Sequence, residues 1–136
     1  MAMSLQHVLE ARRRIQRFIH TTPVMQSLHL NERTGSDLFF KCEHLQKTGA
    51  FKARGAANAV FALSDEKAKT GVATHSSGNH GAALARAAQL RGIPAWIVVP
   101  ENALSSKKAA IRHYGADIIE CASTLDARES SLAALV

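Results

Sequence analysis

Val72-Ala73-Thr74-His75-Ser76-Ser77-Gly78-Asn79-His80-Gly81, continued after one helix length by Gly92-Ile93-Pro94-Ala95-Trp96-Ile97-Val98-Val99-Pro100, decides the architecture. The first four residues suit a strand, Ser76 to Gly78 a turn, and Asn79 to Arg91 a helix stopped by Gly92 and Pro94. Ala95 to Val99 is the next strand and stops at Pro100. A helix from Ser105 to Tyr114 closed by Gly115, a strand from Ala116 to Glu120 and a helix starting near Ser123 continue the alternation. These strands are continuous Val/Ile runs rather than alternating ones, and helices of about ten residues separate them, as a parallel sheet covered on both faces requires. The fold class is therefore α/β, with a doubly wound parallel sheet.

Toward the N-terminus, Ser4 to Phe18 carries Leu5, Val8, Leu9, Ile15 and Phe18 at helical spacing, with Ser4 as cap. Thr22-Pro23-Val24 is extended, because the residue before proline avoids the helical region. Ser27 to Thr34 reads as a short helix closed by Gly35, and Asp37 to Cys42 as a strand. A loop from Glu43 to Gly49 leads into a helix over Phe51 to Leu63. At the other end, Ser130 to Val136 keeps a helical period without a stop signal, so the chain is expected to end inside an element.

The 136 residues, 46% of them hydrophobic, suffice for one moderate core. No apolar run approaches the roughly 20 residues of a membrane span, and the Arg12-Arg13-Arg14 helix has no secretory pattern, so no membrane association and a cytoplasmic location are expected. Cys42 and Cys121 both fall in stretches read as strand and are expected to be reduced and buried. The seven histidines show no ligand spacing, and no metal site is expected in this segment. Within the net charge of +6, Arg12, Arg13, Arg14 and Arg17 cluster on one helix and Lys107-Lys108 on another, both read as solvated faces. With 5% aromatic residues there is no stacking platform, and nucleic acid is not expected as a partner.

Two segments carry chemistry. Gln46-Lys47-Thr48-Gly49-Ala50-Phe51-Lys52-Ala53-Arg54-Gly55 puts Lys52 in the first turn of a helix after a glycine-containing loop, where the helix dipole disfavours an ammonium and an amine can attack an aldehyde. Alone, it reads as a surface lysine on an amphipathic helix. His75 to Gly81 places small hydroxyls and helix-start amides at the C-terminal edge of a parallel sheet, where α/β folds bind ligands. Alone, it is an ordinary turn with Ser76 or Ser77 as helix cap. The two segments are read as successive β-α units that bring both helix starts to one sheet edge.

With Phe39-Phe40-Lys41-Cys42-Glu43, Gly92-Ile93-Pro94-Ala95 and Val98-Val99-Pro100, these segments resemble the fold-type II (tryptophan synthase β-like) pyridoxal-phosphate enzymes, in the subgroup of serine racemases and serine/threonine or hydroxyaspartate dehydratases. The resemblance covers nearly the whole chain. It implies that Lys52 forms the Schiff base with pyridoxal 5'-phosphate and moves the substrate Cα proton, and that Ser77 serves the opposite face. It implies that Asn79 bonds the cofactor's phenolic oxygen and Phe51 packs on its ring. Ser76, Ser77, Gly78, Asn79 and His80 then receive the substrate carboxylate. Ser27, Lys47 and Thr48 match a nucleotide site near an interface, and a homodimer acting on serine, threonine or hydroxyaspartate is implied.

Members of that family are more than twice as long. The glycine-rich phosphate loop, the partner of the pyridine nitrogen and the ligands of a divalent cation (Mg, Ca or Mn) would lie beyond residue 136. Residues 1–48 would belong to the large domain and 49–136 to most of the small one, the rest of the large domain being absent. The chain alone is expected to be inactive or weakly stable. The alternatives are a cofactor-incompetent fragment or regulatory α/β domain, and a β-replacement enzyme of the same fold, which the Phe-Lys-Ala-Arg-Gly context disfavours.

Overall fold

The computed structural model describes residues 2–135. Its elements are α1 (Leu5–Ile15), β1 (Val24–Met25), α2 (Leu28–Thr34), β2 (Phe40–Lys41), 3-10 turns at Glu43–Leu45 and Lys47–Gly49, α3 (Lys52–Ala62), α4 (Asp65–Lys69), β3 (Val72–His75), α5 (Asn79–Arg91), β4 (Ala95–Pro100), α6 (Ser105–His113), β5 (Asp117–Cys121) and α7 (Leu125–Ala133). Strands β3, β4 and β5 form a parallel sheet in that order, with Val72 opposite Ala95 and Trp96 opposite Asp117.

Alternation along β4 explains both covered faces. Ala95, Ile97 and Val99 enter one buried cluster with the alanines of α5 and with Ile111 of α6. Trp96 and Val98 point the other way, and α7 packs across all three strands there. The helix-strand alternation read from the sequence is therefore an α/β sheet with helices on both faces.

Gly81 sets how closely α5 approaches the sheet. A Cβ on it would stand 3.0 Å from Ile97 Cγ2 and 3.1 Å from Ile111 Cδ1. Ile97 and Ile111 are both fully buried, so neither has free space to retreat into.

One expectation needs correction: α3 is not the helix of a β-α unit in this sheet. β2 is two residues long and pairs antiparallel with β1 in a separate ribbon, Val24 opposite Lys41 and Met25 opposite Phe40. Phe39 lies outside the ribbon and is exposed, so the strand expected over Asp37 to Cys42 shrinks to its centre. α3 instead lies along α5, with Ala53, Ala56, Ala57 and Val60 buried on one helix and Ala82, Ala83, Ala85, Ala87 and Ala88 on the other. Arg91 at the end of α5 donates to the carbonyls of Val60 and Leu63 at the end of α3, satisfying acceptors that a helix end leaves free. The turn before α3 also touches α5, and Lys52 at the start of α3 is near enough to His80 at the start of α5 for its charge to act on the ring. The two helices thus run side by side in one direction, and helix packing brings their starts together.

Smaller differences have local causes. α1 begins as read, with Ser4 Oγ accepting from the His7 N–H, but stops at Ile15, and Phe18 stacks on Phe61 with ring centroids 3.9 Å apart. α4 falls in the stretch between Leu63 and Val72, for which no element was expected: five residues are too few to show a period, and its start is fixed by Ser64 Oγ accepting from the Lys67 N–H. α7 closes at Ala133, short of the continued helix expected over Ser130 to Val136; Val136 lies outside the described residues. Cys42 is buried but lies just past β2, and Cys121 at the end of β5 is half-buried. Among the described residues no helix is long and apolar enough to cross a membrane.

Candidate active site

The start of α5 is built by Ser76. Its N–H donates to Val98 O at 2.9 Å, anchoring the residue to β4, and its Oγ accepts from the Gly78 N–H at 3.3 Å and the Gly81 N–H at 3.0 Å. Ser76 thus caps the helix start from two positions before the N-cap residue, Gly78. Its oxygen is engaged, yet its O–H remains free to donate. Among the described residues the N–H groups of Ser77, Asn79 and His80 have no hydrogen-bond partner. Together with the helix dipole they form an anion receptor. Ser77 is exposed, and its hydroxyl has no partner among the described residues.

Lys52 opens α3 at the same end. It is exposed, with Nζ 5.4 Å from the Phe51 ring centroid, and Phe51 is 60% exposed. No described acidic group pairs with Lys52. The turn ahead of it is strained. Thr48 stands at φ 60° and Gly49 at φ 67°, and a β-branched residue in the left-handed region is a real outlier. Thr48 Oγ1 is also buried without a partner. Gln46, buried, steadies the turn by accepting from the His20 and Lys47 N–H groups and donating to His20 O.

His80 links the two helix starts. Burial first, then the charges of Lys52 and His75, push its pKa below the usual histidine value, so the ring is neutral near pH 7. Its stability contribution is therefore present above about pH 6.5 and is lost as pH falls through the lowered folded value. Lys52→Ala should raise the His80 pKa without restoring it fully, because burial is the larger cause. A ring titration by NMR that is the same in both proteins would separate Lys52 from this site.

One side chain escaped the sequence reading. Lys107, in the first turn of α6, donates from Nζ to Asn79 Oδ1 at 3.0 Å. The Lys107-Lys108 pair is half-buried rather than a solvated face, Lys108 bonding Glu101 O and Glu120. No motif signalled Lys107; the one clue was that α6, like α5, starts at the C-terminal edge of the sheet. Ser27 accepts from the Leu30 N–H at the start of α2, and among the described residues no hydrogen bond joins it to Lys47 or Thr48. Nor do the described residues gather three or more His, Cys, Asp or Glu groups able to hold a metal.

The chain that carries this lysine and this turn is similar to known proteins over almost its whole length. Residues 15–136 match the family "Pyridoxal-phosphate dependent enzyme", and the chain belongs to that family. It is 50% identical to a serine racemase of Dictyostelium discoideum over 134 residues, covering 98% of this chain and 41% of that protein. It is 52% identical to a β-hydroxyaspartate dehydratase of Paracoccus denitrificans over 126 residues, covering 93% of this chain and 40% of that one. The solved structure of maize serine racemase superposes with a TM-score of 0.95 at 49% identity, over 99% of this chain and 41% of that one. The chain thus spans about two fifths of these relatives' lengths.

Proposed function

We propose that this chain is the N-terminal portion of a pyridoxal-phosphate enzyme that racemises serine or dehydrates serine, threonine or hydroxyaspartate. The observation that carries the reading is the pairing of unpartnered groups: the Ser77, Asn79 and His80 N–H groups at one helix start and the unpaired Lys52 amine at its neighbour. These groups fit the cofactor and an amino-acid substrate, since an aldehyde needs a free amine and a carboxylate needs donors. The relatives named for serine and β-hydroxyaspartate support the substrate class.

When bound, the cofactor supplies an aldehyde for an amine and a conjugated ring that takes up an electron pair from the substrate Cα. Lys52 Nζ would hold the cofactor through its aldehyde and, as a free amine, would accept the Cα proton on one face. Ser77 Oγ delivers a proton to the other face, which inverts the centre. Departure of the β-hydroxyl as water, with a water then hydrolysing the resulting imine, would instead give a keto acid and ammonia. The Ser76 O–H and the free N–H groups, with neutral His80, hold the carboxylate and keep the Cα between the two proton carriers. Gly78 keeps that turn free of side-chain bulk, Asn79 would bond the cofactor's phenolic oxygen, and Phe51 would shield the ring.

In the whole protein, residues 1–48 would join a large domain and 49–136 would form most of a small one. The reading includes a cytoplasmic homodimer, a divalent cation bound outside this segment, and a nucleotide bound near Ser27, Lys47 and Thr48. The unsatisfied Thr48 hydroxyl supports the last of these.

The test is borohydride reduction of the chain with excess pyridoxal phosphate, followed by peptide mapping. Label concentrated on Lys52 over Lys47 and Lys107, and lost from that peptide in Lys52→Ala, is expected. Label spread evenly over the lysines would overturn the assignment.

A further inference from the structure

We propose that Lys107 fixes the orientation of the Asn79 carboxamide, so that its NH2 group rather than its carbonyl is offered to the ligand. The inference rests on the proposed function and adds a positioning residue to it. An ammonium has three donors and no acceptor, so at 3.0 Å the amide atom facing Lys107 Nζ is the oxygen. An amide whose oxygen is taken turns its nitrogen the other way, with two N–H donors left free. Among the described residues Asn79 Nδ2 has no partner.

The charge on Lys107 is not spent elsewhere. Its neighbours Lys108 and Arg112 both reach Glu120, at 2.7 and 3.9 Å, whereas no described carboxylate pairs with Lys107. Lys107 is half-buried, which lessens screening by water, and a charged donor on the oxygen polarises the amide so that its N–H groups donate more strongly. The chemistry this selects is an anionic oxygen. On the cofactor that is the ionised phenolic oxygen, which an amide carbonyl would repel. Lys107 need not touch the ligand, because it acts through the amide it holds.

The pair gives two independent readouts. In the chain without cofactor, the side-chain NH2 resonances of Asn79 should move in Lys107→Met and stay near their wild-type positions in Lys107→Arg. With pyridoxal phosphate, Lys107→Met should bind about tenfold more weakly, the loss expected for one hydrogen bond to a charged group. Its bound spectrum should shift toward the form with a protonated phenolic oxygen, and Lys107→Arg should restore both. In an Asn79→Ala background, Lys107→Met should add no further loss, an outcome that a merely structural lysine would not give. Unmoved Asn79 resonances in Lys107→Met would overturn the inference whatever the cofactor does. Equal affinity and spectra in wild type and Lys107→Met, with Lys52 still labelled, would overturn it while leaving the proposed function standing. Failure of the wild type to label Lys52 would instead remove the proposed function, and the amide resonances would still decide the orientation.

Discussion

Ile97→Ala is expected to cost about 2–5 kcal/mol, and Gly81→Ala about 1–3 kcal/mol, yet the two together less than their sum. Ile97 is fully buried at the centre of β4, so truncation leaves a cavity in a cluster with no slack. Gly81→Ala fails for the opposite reason: its new methyl would meet Ile97 Cγ2 at 3.0 Å and Ile111 Cδ1 at 3.1 Å. Removing Cγ2 in Ile97→Ala makes room for that methyl on one side only, so the rescue should be partial. Thermal or denaturant unfolding of the four proteins measures the coupling. Strict additivity would mean that α5 does not rest on Ile97 through Gly81.

Acid should weaken the molecule through a second cluster. Arg54 donates from Nε to Glu43 Oε2 and from Nη2 to Glu43 Oε1, both at 2.8 Å, and the Thr22 hydroxyl donates to Oε1 at 2.6 Å. Lys41 ties in through Thr22 O. The Arg54 hydrogen bonds lead, against an opposing effect of burial, in holding the Glu43 carboxyl at about 2. A lowered folded value means stability that is fully present above about pH 4.5 and is lost as pH falls through about 2. Water reaches the pair, with side chains 32% and 19% exposed, so about 1–2 kcal/mol is the reasonable share of that shift. Arg54→Met should lose about 2–3 kcal/mol at pH 7, because it leaves Glu43 without its bidentate partner. Glu43→Gln should flatten the stability profile between pH 5 and 2. A slope there equal to the wild type's would assign the acid sensitivity to other groups.

How much could be read in advance depended on where the physics was local. β3 and α5 agree residue for residue with the reading, because a Val-led run, a serine-glycine turn and a Gly92-Ile93-Pro94 stop act over a few residues. Lys52 and the Ser76 to His80 turn were legible as motifs for the same reason. What brings them together was not legible. α3 was assigned to the sheet edge by analogy with its neighbours, whereas its place comes from long-range contact between two alanine-lined helices, which leaves little periodic signal. β1 and α4 were too short to read, β2 was read too long because its partner strand was not read, and Lys107 was read as solvent-facing because its partner Asn79 is 28 residues away.

The alanines between α3 and α5 have a mechanical consequence. Ala53, Ala56 and Ala57 on one helix and Ala83 and Ala87, on the Arg91 side of the other, have no side-chain torsions to adjust, so backbone meets backbone with little between. The gap between Lys52 and the Ser77 turn is therefore gauged by the thickness of a methyl group, as by a shim between two rails. A bulkier residue far down the seam, such as Leu at position 57 or 87, would spread the rails and move the amine away from its target without touching any group that does chemistry.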